Sequence, residues 1–180
     1  MKRAGSSKTV FLRPARPGDV EEIARVWHRG WHDGHTGHVP DQLLPYRSVA
    51  IFRALAAARV DVTTVAAVSG LPRRPLTGFV VVKGDEVEQL FVDAPWRGRG
   101  VAVRLMEHAE RAVAAQYPAA WLAVVAGNAR ARRFYERLGW HDDGPIETVA
   151  ETTDGPMSIP TLRYVKLLTG GAIKEAAAPE

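Results

Sequence analysis

The sequence predicts an α+β domain built around one mixed, mostly antiparallel sheet, and three observations lead there. Its 180 residues suit a single domain, and a chain of that length buries about 70% of its unfolded surface without disulfides or metal. In the first half, the strand-like runs Val62–Val68, Leu76–Val82 and Val87–Val92 are joined by Gly70 to Pro75 and by Gly84-Asp85. Such short Gly/Pro-rich joins favour antiparallel hairpins. In the second half the order changes to helix Val101–Gln116, strand Trp121–Ala126 and helix Ala129–Leu138, a β-α-β-α alternation that makes neighbouring strands parallel.

The remaining elements follow in order. Val10-Phe11-Leu12-Arg13 reads as a first strand. Pro17-Gly18-Asp19 then opens a helix whose apolar positions Val20, Ile23, Ala24 and Trp27 recur at helical spacing. A polar, His-rich stretch from His28 to Pro40 breaks that pattern, and a second helix covers Val49 to Ala58. The helix Val101–Gln116 buries Val101, Leu105, Ala109, Ala112 and Val113, and Gly139 stops the one that begins at Ala129. Thr148–Glu151 and Thr161–Leu167 supply two last strands. The domain is expected over residues 9–168, between disordered ends at 1–8 and 169–180 that offer little to bury.

Composition narrows the function classes. With 46% hydrophobic and 24% charged residues the chain is globular. No apolar run approaches the roughly 18 residues of a membrane span, and the basic start lacks the apolar core of a secretory signal, so a cytoplasmic location is expected. The absence of cysteine excludes thiol catalysis and Cys-ligated metal. A net charge of +4 suits an anionic ligand, but no nucleic-acid-binding module accompanies it.

The most informative stretch is Val87-Glu88-Gln89-Leu90-Phe91-Val92-Asp93-Ala94-Pro95-Trp96-Arg97-Gly98-Arg99-Gly100-Val101-Ala102. A strand ends at Val92, Pro95 prevents its continuation, and a loop with two glycines opens a long helix. Glycines let the backbone turn sharply and approach a ligand, and the first N–H groups of a helix are unpaired at its positive end. A pyrophosphate fits there. A dinucleotide fingerprint would need a third glycine where Val103 stands, and no Gly-Lys-Ser/Thr triplet exists for a P-loop.

What remains, Arg97-x-x-Gly100-x-Ala102, resembles the acetyl-CoA signature of the GNAT superfamily of N-acetyltransferases (Gln/Arg-x-x-Gly-x-Gly/Ala). A second segment, Asn128-Ala129-Arg130-Ala131-Arg132-Arg133-Phe134-Tyr135-Glu136-Arg137-Leu138-Gly139-Trp140, resembles the family's Asn-x-x-Ala-x-x-Phe-Tyr-x-x-x-Gly-Phe block, with Trp140 for the final Phe. Leu12-Arg13-Pro14-Ala15 with Asp19 looks like its opening strand and turn. The resemblance covers roughly residues 10–168.

The resemblance implies a sheet of about seven strands, splayed between the fourth and fifth and flanked by about four helices. It also implies acetyl-CoA as co-substrate. The pantetheine arm would lie along Leu90, Phe91 and Val92, and the pyrophosphate on amides of Gly98, Arg99, Gly100, Val101, Ala102 and Val103, with Arg97 and Arg99 as charge partners. Asn128 would steady the pantetheine arm while also suiting a helix N-cap. Tyr135 would protonate the departing thiolate, since a phenol stays protonated at neutral pH. An acceptor amine is mostly protonated there and needs a base. Glu88, placed by period-two alternation on the face of Leu90 and Val92 with Glu86 farther off, is one candidate, and a water chain is the other.

His28 and His32 are four apart, but no Glu follows His28, so the helical zinc-protease motif is absent and no metal is expected. The resemblance instead places the acceptor pocket here, with Trp27, His28, Trp31 and His32 as substrate-binding residues and Asp33 and His35 nearby. The expected reaction is direct acetyl transfer to a primary amine of a small molecule, peptide or protein, with no nucleic-acid or membrane partner and a homodimer compatible with the family. The alternative is a non-catalytic acyl-CoA sensor or partner-binding domain on the same fold.

Overall fold

A computed structural model describes residues 9–69 and 75–168. The expected tails, and most of the Gly70–Pro75 join, lie outside the described residues. The elements are β1 (Val10–Pro14), α1 (Val20–His35), α2 (Val49–Ala57), β2 (Thr63–Val68), β3 (Leu76–Lys83), β4 (Glu86–Val92), α3 (Val101–Ala114), β5 (Ala119–Val124), α4 (Ala129–Arg137), β6 (His141–Ala150) and β7 (Met157–Leu167). They form one seven-stranded sheet in the order β1-β2-β3-β4-β5-β7-β6. All neighbours are antiparallel except β4 and β5.

The sheet is covered on both faces, so β2 and β3 read as nearly continuous apolar runs. Val65, Ala67, Phe79 and Val81 pack under α1 and α2 with Ile23, Trp27, Trp31 and Phe52. The alternate residues Ala66 and Val80 meet α3 through Leu105, Met106 and Ala109. At the entry to α1, Arg13 donates two hydrogen bonds to the Asp19 carboxylate at 2.6 and 2.8 Å, which hold that carboxyl below the usual range.

The parallel pair is what positions the site. β4 and β5 register at one position, Glu86 with Trp121, and beyond it they part. Leu90–Val92 thus have β3 on one side and, among the described residues, no strand on the other.

Three expectations change. The first helix does not break at His28 but runs through His35, because Trp27, Gly30, Trp31 and Gly34 extend its buried stripe among the histidines. β5 begins two residues earlier than the spacing predicts. The last two strands form a long hairpin of ten and eleven residues, although Gly144, Pro145 and Pro160 suggest interruptions. The hairpin absorbs an extra residue, Asp143, in a register shift just before Gly144, which itself pairs with Arg163. Pro160 falls where β7 has β6 but no β5 beside it, so on its open side the missing N–H costs no ladder bond.

Candidate active site

The open side of β4 is one wall of a cleft of about 430 Å³. Asp93 ends the strand by accepting from the Ala94 N–H at 3.1 Å, and Pro95 follows in a short 3-10 turn. Gly98 and Gly100 then adopt φ of 72° and 76°, the left-handed region that glycine enters without strain. The first helical bond of α3 runs from the Arg104 N–H to the Gly100 carbonyl at 3.1 Å, so the amides of Val101, Ala102 and Val103 have no acceptor within the helix. All three residues line the cleft, as do Leu90, Phe91, Val92, Arg97, Gly98, Gly100, Asn128 and Tyr135. Arg99 does not line it, and its guanidinium lies 5.5 Å from the Trp96 ring centroid.

Arg97 is held rather than free. It donates to the Val92 carbonyl at 3.2 Å and to Asp33 at 2.7 Å, and Asp33 itself lines neither this cleft nor the second cavity across the sheet opening. Asn128 caps α4 by accepting from the Ala131 N–H at 3.1 Å. Its amide nitrogen faces Gly34, where a Cβ would stand only 2.8 Å away, and a Cβ on Gly30 would meet the Phe91 ring at 2.5 Å. One helical turn apart, these two glycines let α1 lie close against β4 and the Asn128 side chain. Their spacing was the available signal for this contact, and it goes unread without knowing which helix face meets the strand.

Tyr135 packs against Phe134, Trp140 and Tyr164 at centroid distances of 5.4, 6.3 and 6.1 Å. Burial pushes its phenol up to about 12, and among the described residues its hydroxyl has no hydrogen-bond partner. Arg130 and Arg137 also reach the cleft. They stand seven apart on α4, two helical turns on one face, so with Arg97 they give the cleft a basic lining that the motifs alone do not reveal.

A second cavity, of about 280 Å³, lies across the sheet opening. Trp27, Trp31, His35, Arg47, Arg59, Glu86, Glu88 and Gln89 line it. Of the four residues expected to bind substrate, Trp27 and Trp31 line this cavity. His28 and His32 are outside the lining: His28 packs on Phe52 with centroids 5.9 Å apart, and the His32 Nε2 bonds the Arg47 carbonyl at 3.0 Å. His35 takes their place, stacked 4.7 Å from Trp31 with Nδ1 2.8 Å from the Trp31 carbonyl. Its imidazole is pushed down to about 4, chiefly by burial.

Glu88 does not share the face of Leu90 and Val92. Val81 pairs with Gln89 but Val82 with Val87, so Glu88 is an extra residue that reverses the alternation. Val87, Leu90 and Val92 pack toward α3, while Glu88 turns to the second cavity. Arg59 donates to both its oxygens at 2.8 Å. Glu86 lines the same cavity, and burial, then the neighbouring Glu88, raises its carboxyl above the ordinary value. Among the described residues, no three His, Asp or Glu side chains gather as a metal site.

β4 therefore borders both spaces, passing from the cavity to the cleft between Gln89 and Leu90. The sheet thus opens at its single parallel pair, with unpaired helix amides beside the opening. Residues 20–140 match the acetyltransferase (GNAT) family, and the chain belongs to it. A GCN5-related N-acetyltransferase from Rhodopseudomonas palustris is similar in fold, with a TM-score of 0.67 at 18% identity over 93% of this chain and 100% of that one. Ard1 from Thermoplasma volcanium gives 0.64 at 20% identity over 89% and 99%. The paiA N-acetyltransferase from Thermoplasma acidophilum, solved in complex with coenzyme A, gives 0.60 at 14% over 88% and 99%. No curated protein matches the sequence. No helix among the described residues is long and apolar enough to cross a membrane.

Proposed function

We propose that this chain is an acetyl-CoA-dependent N-acetyltransferase that moves the acetyl group directly to a primary amine of a small molecule, peptide or protein. The observation that carries this reading is the course of β4, which serves the basic cleft with one half and the carboxylate-bearing cavity with the other. A related fold solved with coenzyme A supports the choice of donor.

The residues present fit that donor. The unpaired amides at the start of α3 and the basic lining from Arg97, Arg130 and Arg137 suit a diphosphate. The open edge of Leu90–Val92 offers backbone groups to an amide-bearing arm, with Asn128 opposite. Bound acetyl-CoA supplies an activated acyl group whose sulfur must take up a proton as it leaves.

Tyr135 supplies that proton in this reading, because its raised value keeps the phenol protonated at any working pH. The acceptor amine loses its proton to Glu88, directly or through water, with Arg59 holding the carboxylate in place. Glu86 adds a second carboxylate to attract the ammonium form. Without cysteine in the chain, transfer proceeds with both substrates bound together, and positioning provides much of the acceleration.

Incubation with acetyl-CoA and a panel of amines tests the reading. Free CoA thiol and acetylated amine should appear in equal amounts. Donor binding without turnover on any amine would instead favour a sensor.

A further inference from the structure

We propose that the acceptor carries a carboxylate near its amine, and that Arg47 is the specificity residue that binds it; this rests on the transferase reading and names its substrate class. Arg47 is 8% exposed and lines the acceptor cavity. Its Nη1 donates to the carbonyls of Tyr46 and Glu151 at 3.0 and 3.1 Å, and the guanidinium lies 5.7 Å from the Trp31 ring centroid. No carboxylate among the described residues pairs with it. Burial alone lowers its affinity for the proton, with no opposing negative neighbour.

A guanidinium has five N–H donors in a planar fork. The two carbonyls occupy one nitrogen and leave Nε and Nη2 for the paired oxygens of an oxyanion. A buried cation without a counter-ion is costly, and a carboxylate entering with the substrate removes that cost. The neighbouring Arg59 shows the contrast, since Glu88 already satisfies it.

The cavity has an opposite pole. Glu86 and Glu88 face it; Arg59 at 2.8 Å and Lys83 at 4.0 Å pair with Glu88, while Glu86 has no ion-pair partner among the described residues and is left to meet an ammonium. Arg59 sits 5.9 Å from the Trp27 ring centroid and Arg47 5.7 Å from that of Trp31. Those tryptophans are four residues apart on α1, just over one helical turn or roughly 6 Å along the axis. Both poles thus line one small cavity beside α1, which suits a compact zwitterion. A volume of about 280 Å³ lies at the small end of ligand pockets, which favours an amino acid over a polymer.

The test is a CoA-release assay at saturating acetyl-CoA, using α- and ω-amino acids, each beside its carboxamide. At least one acid should be acetylated with kcat/KM on the order of 10²-fold above its amide. The same acid should raise the Tm of the donor-free protein where the amide does not. Arg47→Gln should bring the acid down to the level of the amide with acetyl-CoA affinity retained, and Arg47→Lys should keep part of the preference. The acid–amide comparison on the unaltered protein stands even if a variant fails to fold. Equal turnover of acids and amides, or inertness of every acid while acetyl-CoA still binds, overturns the assignment of Arg47 and leaves the transferase reading standing. Failure to bind acetyl-CoA overturns both.

Discussion

The donor cleft and the acceptor cavity share β4 but are made of different material. In the cleft the main contributors are backbone: amides freed by the start of α3, two glycines with positive φ, and a strand edge without a neighbour. In the cavity they are side chains drawn from distant segments, Trp27 and Trp31 from α1, Arg47 and Arg59 from either side of α2, and Glu86 and Glu88 from β4. In the proposed reading, backbone geometry recognises what every donor molecule has in common, and side chains decide which acceptor enters.

Substitutions in the two regions should accordingly fail in different ways. The largest effect is expected from Tyr135→Phe, which should lower kcat by roughly 10²–10⁴ with little change in the KM for acetyl-CoA. With the phenol held near 12, loss of activity from ionised Tyr135 begins only as pH approaches that value. The kcat/KM profile should therefore show no alkaline limb below about pH 10. A limb near pH 8 would point to another acid.

Arg59→Ala tests the cavity. It leaves the Glu88 carboxylate, 14% exposed, with only the more distant Lys83 at 4.0 Å, and because the pair is only partly buried a loss of about 2 kcal/mol is expected. Thermal melting should show that loss, and acceptor KM should change while donor affinity holds. Gly100→Ala tests the cleft: a left-handed alanine costs roughly 1–2 kcal/mol, and no atom within 4 Å of the added Cβ adds a clash. Here acetyl-CoA affinity should fall with acceptor preference intact. A result in which both variants damage both substrates equally would dissolve the distinction.

A separate effect concerns acid stability. His35 is held near 4 when folded against an ordinary 6.5. Between those values the unfolded chain binds more protons, so stability falls as pH drops through that window. His35→Gln should flatten that part of the Tm profile.

The contrast also explains what could be read in advance. Arg97-x-x-Gly100-x-Ala102 and the Asn128–Trp140 block are contiguous because a backbone cradle is made by a local run of chain, and their residues do meet in one cleft. The cavity depends on which faces of separate elements converge. Glu88 was misplaced because a bulge reverses alternation and no glycine or proline marks it. Arg47 and Arg59 belong to no motif and gain their meaning from burial beside Trp31 and Trp27. The histidines concealed the end of α1, because polarity on its outer face hid a Trp/Gly stripe that continues inward.

The most direct measurement is calorimetric titration of the folded protein with acetyl-CoA. A single saturable site is expected, and at a hundredfold excess over Kd the donor should stabilise the protein by about 2.7 kcal/mol. No heat and no rise in Tm, from protein whose circular dichroism shows the fold intact, would contradict the assignment of the cleft.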